Sequence, residues 1–510
     1  MVARVADVVI VGAGSAGCVL AARLSEDSSL RVVLLEAGPD YPEVASLPEE
    51  LVDGWRPVFT HDWGYASEPT EDLASIPLPR ARVVGGCSAT NASFALRGAV
   101  EDYDRWAALG NPGWSFDEVL PAFCRLERDL DFPDAGWHGA GGPLPIRRYA
   151  DEEIDPVQRA FLSSAVAVGD ALVEDHNRPG AVGVGKIPTT TIDGERMSTA
   201  RTYLAEARGR PNLEVRPQIL VDRVVVRDGM ATGVRLARPV ETVEAGLVIL
   251  AAGAYGSPAI LLRSGIGPAD ELSAFGIPVV ADLPGVGRDL QDHPLVVLTF
   301  PVAETFAGPG YATVATWRSS VAATDEPYDM HVFCNGPFEV EPTGSGLASS
   351  PSPEVWGALV VGVMRPRSRG RVRLRSPDPE DPPRIHPAHL EHPDDLARLV
   401  EGVRRSRSML GAEPLASLVI GPENPPWQGL DDGDQESLER VARSGVGTYH
   451  HPAGTCRMGA GSGAVVDAAC RTHGIDRLVV ADASVMPEIP AANTNVPTIM
   501  IAEQVSGRLK

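Results

Sequence analysis

The stretch DVVIVGAGSAG at residues 7–17, followed by RVVLLE at residues 31–36, decides the fold of this chain. An apolar run that meets closely spaced glycines and then a helical segment predicts a strand, a tight turn and a helix, and the second apolar run predicts another strand. Gly12 permits the sharp turn, Gly14 lets backbone N–H groups approach a pyrophosphate, and Gly17 lets the helix lie close to the strand.

Glu36 closes the second apolar run about 20 residues beyond the glycines, where the ribose hydroxyl of a bound dinucleotide is expected. The alternative is a structural turn that merely uses glycines. The flanking strand, the helical segment and the acid all agree with binding, so the stretch predicts a dinucleotide site. It does not distinguish NAD from FAD.

The composition is that of a soluble globular protein of two or three domains. The chain has 510 residues, of which 44% are hydrophobic. Its net charge of -23 comes from 68 acidic and 45 basic residues. Such a charge opposes sequence-independent binding to nucleic acid and to anionic lipid, so neither is predicted as a partner.

The cysteines and the N-terminus bear on the compartment. Six cysteines are scattered without the C-x-x-C spacing of zinc or iron–sulfur sites, which predicts reduced thiols and no metal. The first residues run straight into an apolar strand without the apolar region of an export signal, and no apolar stretch approaches the length of a membrane span. We therefore expect a cytoplasmic protein, monomeric or homodimeric, with no membrane span.

The rest of the chain predicts an α/β protein (α+β overall) with two domains. Strand-like runs with a hairpin turn, and a second strand-to-helix turn at Ala251-Ala252-Gly253, continue a Rossmann-type domain. Strand-like pieces between Pro/Ser-rich loops predict a second domain on a mostly antiparallel sheet with helices. The predicted dinucleotide-binding domain comprises residues 1–150, 195–295 and 441–510, and the predicted substrate-binding domain comprises residues 151–194 and 296–440.

Four separated motifs give the chain a family resemblance. They are the signature-like segment at 81–104, GAYGSPAILLRSGIG at 253–267, YHHPAGTCRMG at 449–459 and AANTNVPTIM at 491–500. In this order they resemble the glucose–methanol–choline (GMC) oxidoreductases, and the resemblance extends from Val5 to the C-terminus. The chain is most similar to the bacterial branch of choline dehydrogenase-like, hydroxymethylfurfural oxidase-like and pyridoxine oxidase-like enzymes.

The resemblance implies the GMC fold and FAD, with the glycine loop and Glu36 at the ADP half of the cofactor. Val224 matches the position whose backbone meets the adenine, and Asp482 matches a turn near the ribityl–phosphate region. Pro497 and Thr498 are expected to begin a helix whose N-terminus favours negative charge on the flavin. The implied cofactor residues are Gly12, Gly14, Ser15, Ala16, Gly17, Glu36, Ala37, Arg82, Val84, Gly85, Gly86, Asn91, Ala92, Val224, Ala252, Gly253, Asp482, Ala483, Asn493, Pro497 and Thr498.

Two residues of the first signature depart from the family pattern. Thr90 stands where some members carry a histidine that bonds covalently to the flavin, so we predict noncovalent FAD. Cys87 replaces the usual Gly, Ser or Thr. We interpret it as a small packing residue, with a flavin–thiol adduct as the alternative.

The predicted chemistry is the oxidation of a primary alcohol, which loses a hydroxyl proton and a hydride to flavin N5. Histidine is the base suited to this proton transfer near neutral pH, and His451, directly before Pro-Ala-Gly-Thr, matches the family base. Asn493 matches the partner position, where its amide holds the substrate oxygen, and Asn495 fits the spacing less well. His450 either touches the substrate or is a structural neighbour.

Other chemistry-bearing residues are interpreted as structural. His293 lies at a family-like junction between domains, and His386, His389 and His392 have metal-like spacing but occupy loop and helix-entry positions. No metal is predicted there. The basic run at 365–371 is typical of a solvated hairpin that pairs with local carboxylates, with anionic-substrate binding as the alternative.

The substrate follows less directly from the sequence. Phe300, Phe333 and Trp356 suggest an aromatic, furanic or other small apolar alcohol, although core packing explains them equally well. The reduced flavin would pass its electrons to O2 or to another acceptor. Two rival functions stay open, namely a GMC-fold lyase or light-driven fatty acid decarboxylase, and a non-catalytic flavin-binding partner protein.

Overall fold

The computed structural model describes residues 6–70, 73–339 and 355–509. Two seven-stranded sheets dominate this part of the chain. The parallel strands of the first sheet run in the order Leu213–Arg216, Val32–Leu35, Ala6–Val11, Thr242–Leu250 and Leu478–Val480. Two antiparallel strands extend this sheet. Met230–Arg238 pairs with the first residues of Thr242–Leu250, and Leu220–Arg227 pairs with Met230–Arg238.

The predicted strand–turn–helix–strand unit forms the centre of this sheet. Ala6–Val11 pairs in parallel with Val32–Leu35, and the helix Ser15–Leu24 connects them. All four residues of Val32–Leu35 are buried, as expected for a parallel strand that is covered on both faces. The apolar runs in the sequence therefore mark the interior of a Rossmann-type sheet.

The helix Asn495–Leu509 completes the first domain from the far end of the sequence. It packs against Ser15–Leu24, and the Ser15 hydroxyl donates to Oδ1 of Asn495 at 2.7 Å. The buried carboxylate of Glu503 accepts hydrogen bonds from Arg23, Arg125 and the hydroxyl of Tyr203, at 2.9, 2.8 and 2.7 Å. The first and last helices are thus tied together at both ends of their contact.

The second sheet is antiparallel except at one edge. Its order is Gly447–Thr448, Pro294–Val302, Val355–Val363, Met330–Glu339, Tyr311–Trp317, Gly183–Lys186 and Leu172–Val173, with only the last pair parallel. Alternate residues point to opposite faces. Met330 and Val332 pack into the core under the helices Pro156–Ala167 and Pro393–Leu410, whereas Phe333 points to the other face.

The remaining elements are short or peripheral. The helices, including 3-10 and π turns, are Val44–Ser46, Glu49–Val52, Gly86–Ala89, Val100–Ala108, Phe116–Leu126, Ala200–Leu204, Ala205–Ala207, Gly253–Arg263, Ala269–Ala274, Leu415–Ser417, Gln435–Gly445 and Ala483–Val485. The strands pair as Glu127–Asp129 with Leu144–Ile146, Thr191–Ile192 with Glu195–Arg196, Ile266–Gly267 with Ala281–Asp282, and Arg371–Arg373 with Arg384–His386. Within the described ranges, no helix has the length and apolarity needed to cross a membrane.

The second sheet draws its strands from separate stretches of the chain. Residues 151–194 supply two of these strands. The strand Pro294–Val302 begins two residues before the predicted boundary at 296, and Gly447–Thr448, placed in the first domain by the prediction, pairs with it. This short strand leads directly into the YHHPAG motif, so the motif is attached to the second sheet.

A buried ion network stands apart from both sheets. Arg148 bonds Asp129 at 2.6 Å and Asp175 at 2.7 Å, and His138 bonds Glu127 at 2.7 Å and Asp175 at 3.1 Å. Asp175 lies between Leu172–Val173 and Gly183–Lys186, two strands of the second sheet, whereas the other residues follow the first signature. The network therefore fastens the segment 127–148 to the second sheet.

Candidate active site

A cavity of about 670 Å³ extends along both sheets. Part of its wall follows the carboxyl ends of the parallel strands and includes Gly12, Glu36 and Ala252. Another part comes from the antiparallel sheet and includes Leu295 and Phe333. Ligands of open α/β sheets bind at the carboxyl edge of the strands, so this cavity is the candidate site.

The glycines of the first part shape a backbone cradle. A Cβ on Gly12, whose φ is 97°, would lie 2.5 Å from the carbonyl oxygen of Ala251. A Cβ on Gly17 would lie 1.8 Å from the carbonyl oxygen of Gly12, and one on Gly86 would lie 2.5 Å from Cα of Gly14. Backbone meets backbone at each position, so side chains are excluded and the cavity wall is made of N–H groups and small residues.

Glu36 lines this cradle with a fixed carboxylate. Its two oxygens accept hydrogen bonds from the N–H groups of Ala13 and Gly38, both at 2.8 Å. Burial raises the pKa of Glu36, and these backbone bonds oppose the shift. The carboxylate is therefore held in one orientation at the end of its strand, where the sequence predicts a ribose contact.

Most of the predicted cofactor residues line the cavity. They are Gly12, Gly14, Ser15, Ala16, Glu36, Ala37, Arg82, Gly86, Asn91, Ala92, Ala252, Gly253, Asp482, Ala483, Asn493 and Thr498. Gly85 lies behind this wall, and its N–H donates to the carbonyl oxygen of Ala13 at 2.7 Å, so it joins the first signature to the glycine loop. Gly17 and Val84 also lie behind the wall, and Pro497 is buried in the first turn of a helix that begins at Asn495.

The position predicted to meet the adenine lies off the cavity wall. Val224 does not line the cavity, because its N–H donates to the Ser264 hydroxyl at 2.8 Å inside the fold. The cavity is lined instead by Ile219, Leu220 and Val221 at the start of the same strand. An apolar strand without a landmark residue does not show in the sequence which of its positions meets a ligand.

Asp482 supports the cradle at the cavity wall. One carboxylate oxygen accepts from the N–H of Gly253 at 2.9 Å and from the Ser257 hydroxyl at 2.6 Å, and the other accepts from the N–H of Ser484 at 2.8 Å. Burial raises the pKa of Asp482, against these bonds. The residue thus fixes the N-terminus of the helix Gly253–Arg263 at the cavity.

The predicted base and its partner are in contact. Nδ2 of Asn493 donates to Nε2 of His451 at 3.1 Å, so this ring nitrogen carries a lone pair. Nδ1 of His451 lies 2.9 Å from Nδ1 of His293, and in the neutral ring it carries the proton and donates. Burial lowers the pKa of His451 well below its ordinary value and His293 adds to the shift, so the imidazole is neutral at pH 7.

His293 was interpreted from the sequence as a structural residue, and the structure places its ring against the base. The two histidines are 158 residues apart in the sequence, and only the tertiary fold brings them together. The neighbouring Asp292 holds the backbone of the same loop: its carboxylate accepts from the N–H of His451 at 2.9 Å and from the Thr448 hydroxyl at 2.5 Å.

Asp292 is buried and charged. Burial raises its pKa, but His389, with Nε2 3.6 Å from the carboxylate, and Thr448 outweigh burial, and the pKa lies below the ordinary value. A charged, bonded carboxylate therefore lies beside the base without contacting its ring nitrogens.

His450 precedes the base in a left-handed backbone conformation, with φ of 66°. Its N–H donates to the Thr448 hydroxyl at 2.8 Å, and its carbonyl oxygen accepts from Nη2 of Arg80 at 2.6 Å. The ring lines the cavity, and burial together with the Arg80 charge lowers its pKa to about 4. The structure thus brings the predicted substrate residue to the cavity in a neutral form.

Aromatic rings form a further part of the cavity wall. Phe94, Tyr311 and Phe333 meet edge to face, with centroids 5.3 to 5.7 Å apart. Tyr449 contacts Phe333 and stacks on His451 at 4.6 Å. Apolar residues of the second sheet complete this wall, namely Leu295, Val297 and Val360.

Two aromatic residues suggested as pocket residues do not line the cavity. Phe300 is buried in the core beneath the helices, on the face opposite to Leu295 and Val297. Trp356 shares by alternation the face of Val360, but four residues along a strand separate them by about 13 Å. Cys87 and Thr90, the two departures from the family pattern, both line the cavity.

The other basic and histidine clusters have partners of their own. His386 pairs with Glu391 at 2.7 Å and His392 accepts from the N–H of Asp394, so these histidines do not converge with His389. The run at 365–371 is only partly the predicted solvated hairpin: Arg365 is buried and bonds the distant Asp102 at 2.7 Å, whereas the exposed Arg367 bonds Asp394.

Comparisons with known proteins agree with this geometry. The chain is 38% identical to 5-(hydroxymethyl)furfural oxidase from Methylovorus sp. (strain MP688), over 98% of each chain. It is 35% identical to an oxygen-dependent choline dehydrogenase from Sinorhizobium medicae (strain WSM419), over 99% of this chain and 95% of that protein. The solved structure of pyridoxine 4-oxidase from Mesorbium loti matches with a TM-score of 0.89 and 32% identity, over 99% of both chains.

Family models described as GMC oxidoreductase match residues 6–295 and 366–502, which together contain the glycine cradle and the loop of the base. The matched segments and the relatives that cover nearly the whole chain lead to one conclusion: this protein belongs to the GMC oxidoreductase family.

Proposed function

We propose that this protein oxidises a primary alcohol to the aldehyde, with noncovalently bound FAD as hydride acceptor and His451 as base. The observation that carries the proposal is the contact of His451 with Asn493 at 3.1 Å on the wall of a cavity that also contains the glycine cradle. Base, oxygen-binding amide and cofactor cradle share one enclosed space.

The cradle fits FAD, the cofactor of this family. Gly12, Gly14 and Gly86 bring bare backbone to the cavity wall, and Glu36 presents a fixed carboxylate to the same cavity. When bound, FAD supplies a ring nitrogen that accepts hydride. Thr90 on the cavity wall has no ring nitrogen with which to bond the flavin, which supports a noncovalent cofactor.

In the proposed mechanism His451 removes the hydroxyl proton through Nε2. Because Asn493 now donates to this nitrogen, an entering alcohol would accept the amide hydrogen bond on its oxygen and present its proton to Nε2. His293 orients the base for this step, since its Nδ1 accepts the hydrogen bond from Nδ1 of His451. A neutral base is required for this step, and the lowered pKa of His451 supplies it.

The aromatic wall supports a neutral aromatic or furanic alcohol as substrate. Phe94, Tyr311, Phe333 and the apolar residues beside them carry no charge. The similarity to the furfural oxidase supports this choice. Aromatic rings also bind quaternary ammonium groups, so choline is the competing substrate that the test includes. Phe333 and His450 are the proposed substrate contacts.

For the electron acceptor we propose O2. The names of the furfural oxidase, the pyridoxine 4-oxidase and the oxygen-dependent choline dehydrogenase support this choice. We also propose a cytoplasmic monomer or homodimer. The six cysteines, all of them in the described ranges, are free thiols, which suits a reducing compartment.

The test is an anaerobic screen of flavin reduction with the purified holoenzyme. Benzyl alcohol, hydroxymethylfurfural, butanol and choline are mixed with the enzyme in turn, and bleaching of the flavin is followed in a stopped-flow instrument. We expect fast bleaching by the aromatic and furanic alcohols and oxidation of the reduced enzyme by O2.

The rival functions predict different results. No bleaching by any alcohol, combined with turnover of a fatty acid only under blue light, would replace the proposal with decarboxylation. No reaction in either assay would favour a non-catalytic flavin protein. Flavin that remains on the protein after acid precipitation would overturn noncovalent binding.

A further inference from the structure

Arg80 enters the cavity next to the loop of the base. Its Nη2 donates to the carbonyl oxygen of His450 at 2.6 Å, and its Nε donates to the carbonyl oxygen of Pro79 at 2.5 Å. The nearby carboxylate of Asp62 accepts from the backbone N–H of Arg80 at 2.6 Å and not from its guanidinium. The side chain thus brings a positive charge to the cavity wall, where the guanidinium donates to a backbone carbonyl.

The contacted carbonyl belongs to a strained residue. His450 has φ of 66°, a conformation that costs free energy in a residue with a Cβ and persists only where the surroundings hold it. Thr448 holds its N–H and Arg80 holds its carbonyl. The next N–H, that of His451, is held by Asp292. Together these three hydrogen bonds, one of them from Arg80, fix the backbone of His450 and His451 and hold the His451 ring against Asn493.

The same charge acts on both imidazoles of the loop. Arg80 and Asp62 face them from the segments 60–82, Asp292 and His293 from the start of the second sheet, and His389 lies behind Asp292. Burial is the main cause of the low pKa of His450 and of His451, and Arg80 lowers both further, whereas Asp292 raises both. The phenol of Tyr255 also faces this charge.

We propose that Arg80 is a positioning residue for alcohol oxidation: its guanidinium fixes the His450–His451 loop through the His450 carbonyl. The inference rests on the proposed function with His451 as base. Arg80 acts through this loop and takes no part in the transfer of the substrate proton.

The test compares Arg80→Gln with Arg80→Lys in the holoenzyme, after the FAD content of each has been measured. Arg80→Gln keeps an N–H donor and removes the charge. We expect it to reduce the flavin about tenfold more slowly in anaerobic mixing and to move the acid limb of the rate–pH profile to higher pH, because the imidazoles protonate more readily. Arg80→Lys keeps the charge and should leave the acid limb in its original place.

A second readout does not depend on turnover. In histidine-labelled holoenzyme at saturating FAD, the NMR resonance of His450, assigned by its loss in His450→Gln, should titrate at higher pH in Arg80→Gln than in the wild type. The matched control is Arg82→Gln. The Arg82 guanidinium lies over the Trp63 ring at 4.7 Å and its Nε donates to the carbonyl oxygen of Ala37, so the variant should lose FAD affinity without moving the acid limb.

Two outcomes would overturn the inference. One is an unmoved acid limb and an unmoved His450 titration in Arg80→Gln, and the other is an equal shift in Arg80→Lys and Arg80→Gln. A failure of the proposed function looks different: His451→Ala would then reduce its flavin at the wild-type rate, whatever the Arg80 variants do.

Discussion

The cofactor end and the catalytic end of the cavity are built in opposite ways. At the cofactor end, backbone packs on backbone, and Gly12, Gly17 and Gly86 leave no room for an added atom. At the catalytic end, long side chains meet, and the base is held by Asp292 and His293 through hydrogen bonds of 2.9 Å. The first end depends on the absence of side chains, and the second depends on their chemistry.

This difference predicts two kinds of mutational effect: loss of the whole site at one end and loss of a single catalytic step at the other. An added methyl group at the cofactor end should abolish the site as a whole, because no neighbouring side chain can rotate away from it. A truncated side chain at the catalytic end should stop one step and leave the cradle intact. The variants below test this contrast, beginning with the largest expected effect.

Gly17→Ala should produce protein without FAD. The new Cβ would lie 1.8 Å from the carbonyl oxygen of Gly12, so the helix must move off the strand. We expect a loss of at least about 3 kcal/mol in the free energy of unfolding and no bound flavin in the visible spectrum. Gly507→Ala is the control, since a Cβ there meets no described atom within 4 Å. Equal free energies of unfolding for the two variants would contradict the assignment of Gly17 to a backbone contact with no room for a side chain.

His451→Ala should slow anaerobic flavin reduction by about 100-fold or more, because the substrate proton loses its acceptor. The cradle is untouched, so the FAD content should equal that of the wild type. His386→Ala, which removes a histidine that bonds Glu391 far along the second domain, should keep the wild-type rate. Loss of FAD from His451→Ala would show that the two ends are not independent.

Phe333→Leu should raise the KM for benzyl alcohol by about tenfold and change kcat less, because an aromatic wall contact is lost in the bound substrate. Trp356→Leu, on the same sheet but off the cavity wall, should leave the KM unchanged. Steady-state kinetics gives the KM of both variants, and the comparison is made between two residues of one sheet. A larger KM effect at Trp356 would contradict the assigned wall.

The smallest effect is expected at the ion network between the domains. Burial lowers the pKa of His138, but its bonds to Asp175 and Glu127 outweigh burial, so the folded-state pKa lies above the ordinary value. The stabilisation is therefore complete below about pH 6.5 and is lost as the pH rises through the folded-state pKa. Urea unfolding between pH 6 and pH 9 should show this decline.

Asp175 gives the opposite slope at acid pH. Burial raises its pKa, but the bond from His138 and the charge of Arg148 outweigh burial and leave the folded-state pKa below the ordinary value. Its contribution is present above about pH 4 and is lost as the pH falls further.

The variant His138→Gln tests the alkaline side. It should flatten the decline in the free energy of unfolding at alkaline pH. An unchanged alkaline decline in this variant would remove His138 as its cause.

The same contrast explains what the sequence predicts well. The glycine loop and Glu36 are recognisable because a backbone cradle demands small residues at fixed spacing, and His451 and Asn493 lie in motifs of their own. Val224 was three residues away from the position that lines the cavity, since apolar strand residues carry no landmark. Whether Trp356 reaches the cavity depends on its place along a strand, and the contact of His293 with the base arises only from the fold.

The tie between the first and last helices has a consequence for biosynthesis. Residues 6–24 leave the ribosome early, but their helix packs on Asn495–Leu509, and Glu503 joins it to Arg125 and Tyr203. The first domain therefore lacks its last helix until the second sheet has been translated. We therefore expect FAD to bind only after residues 495–509 have been synthesised.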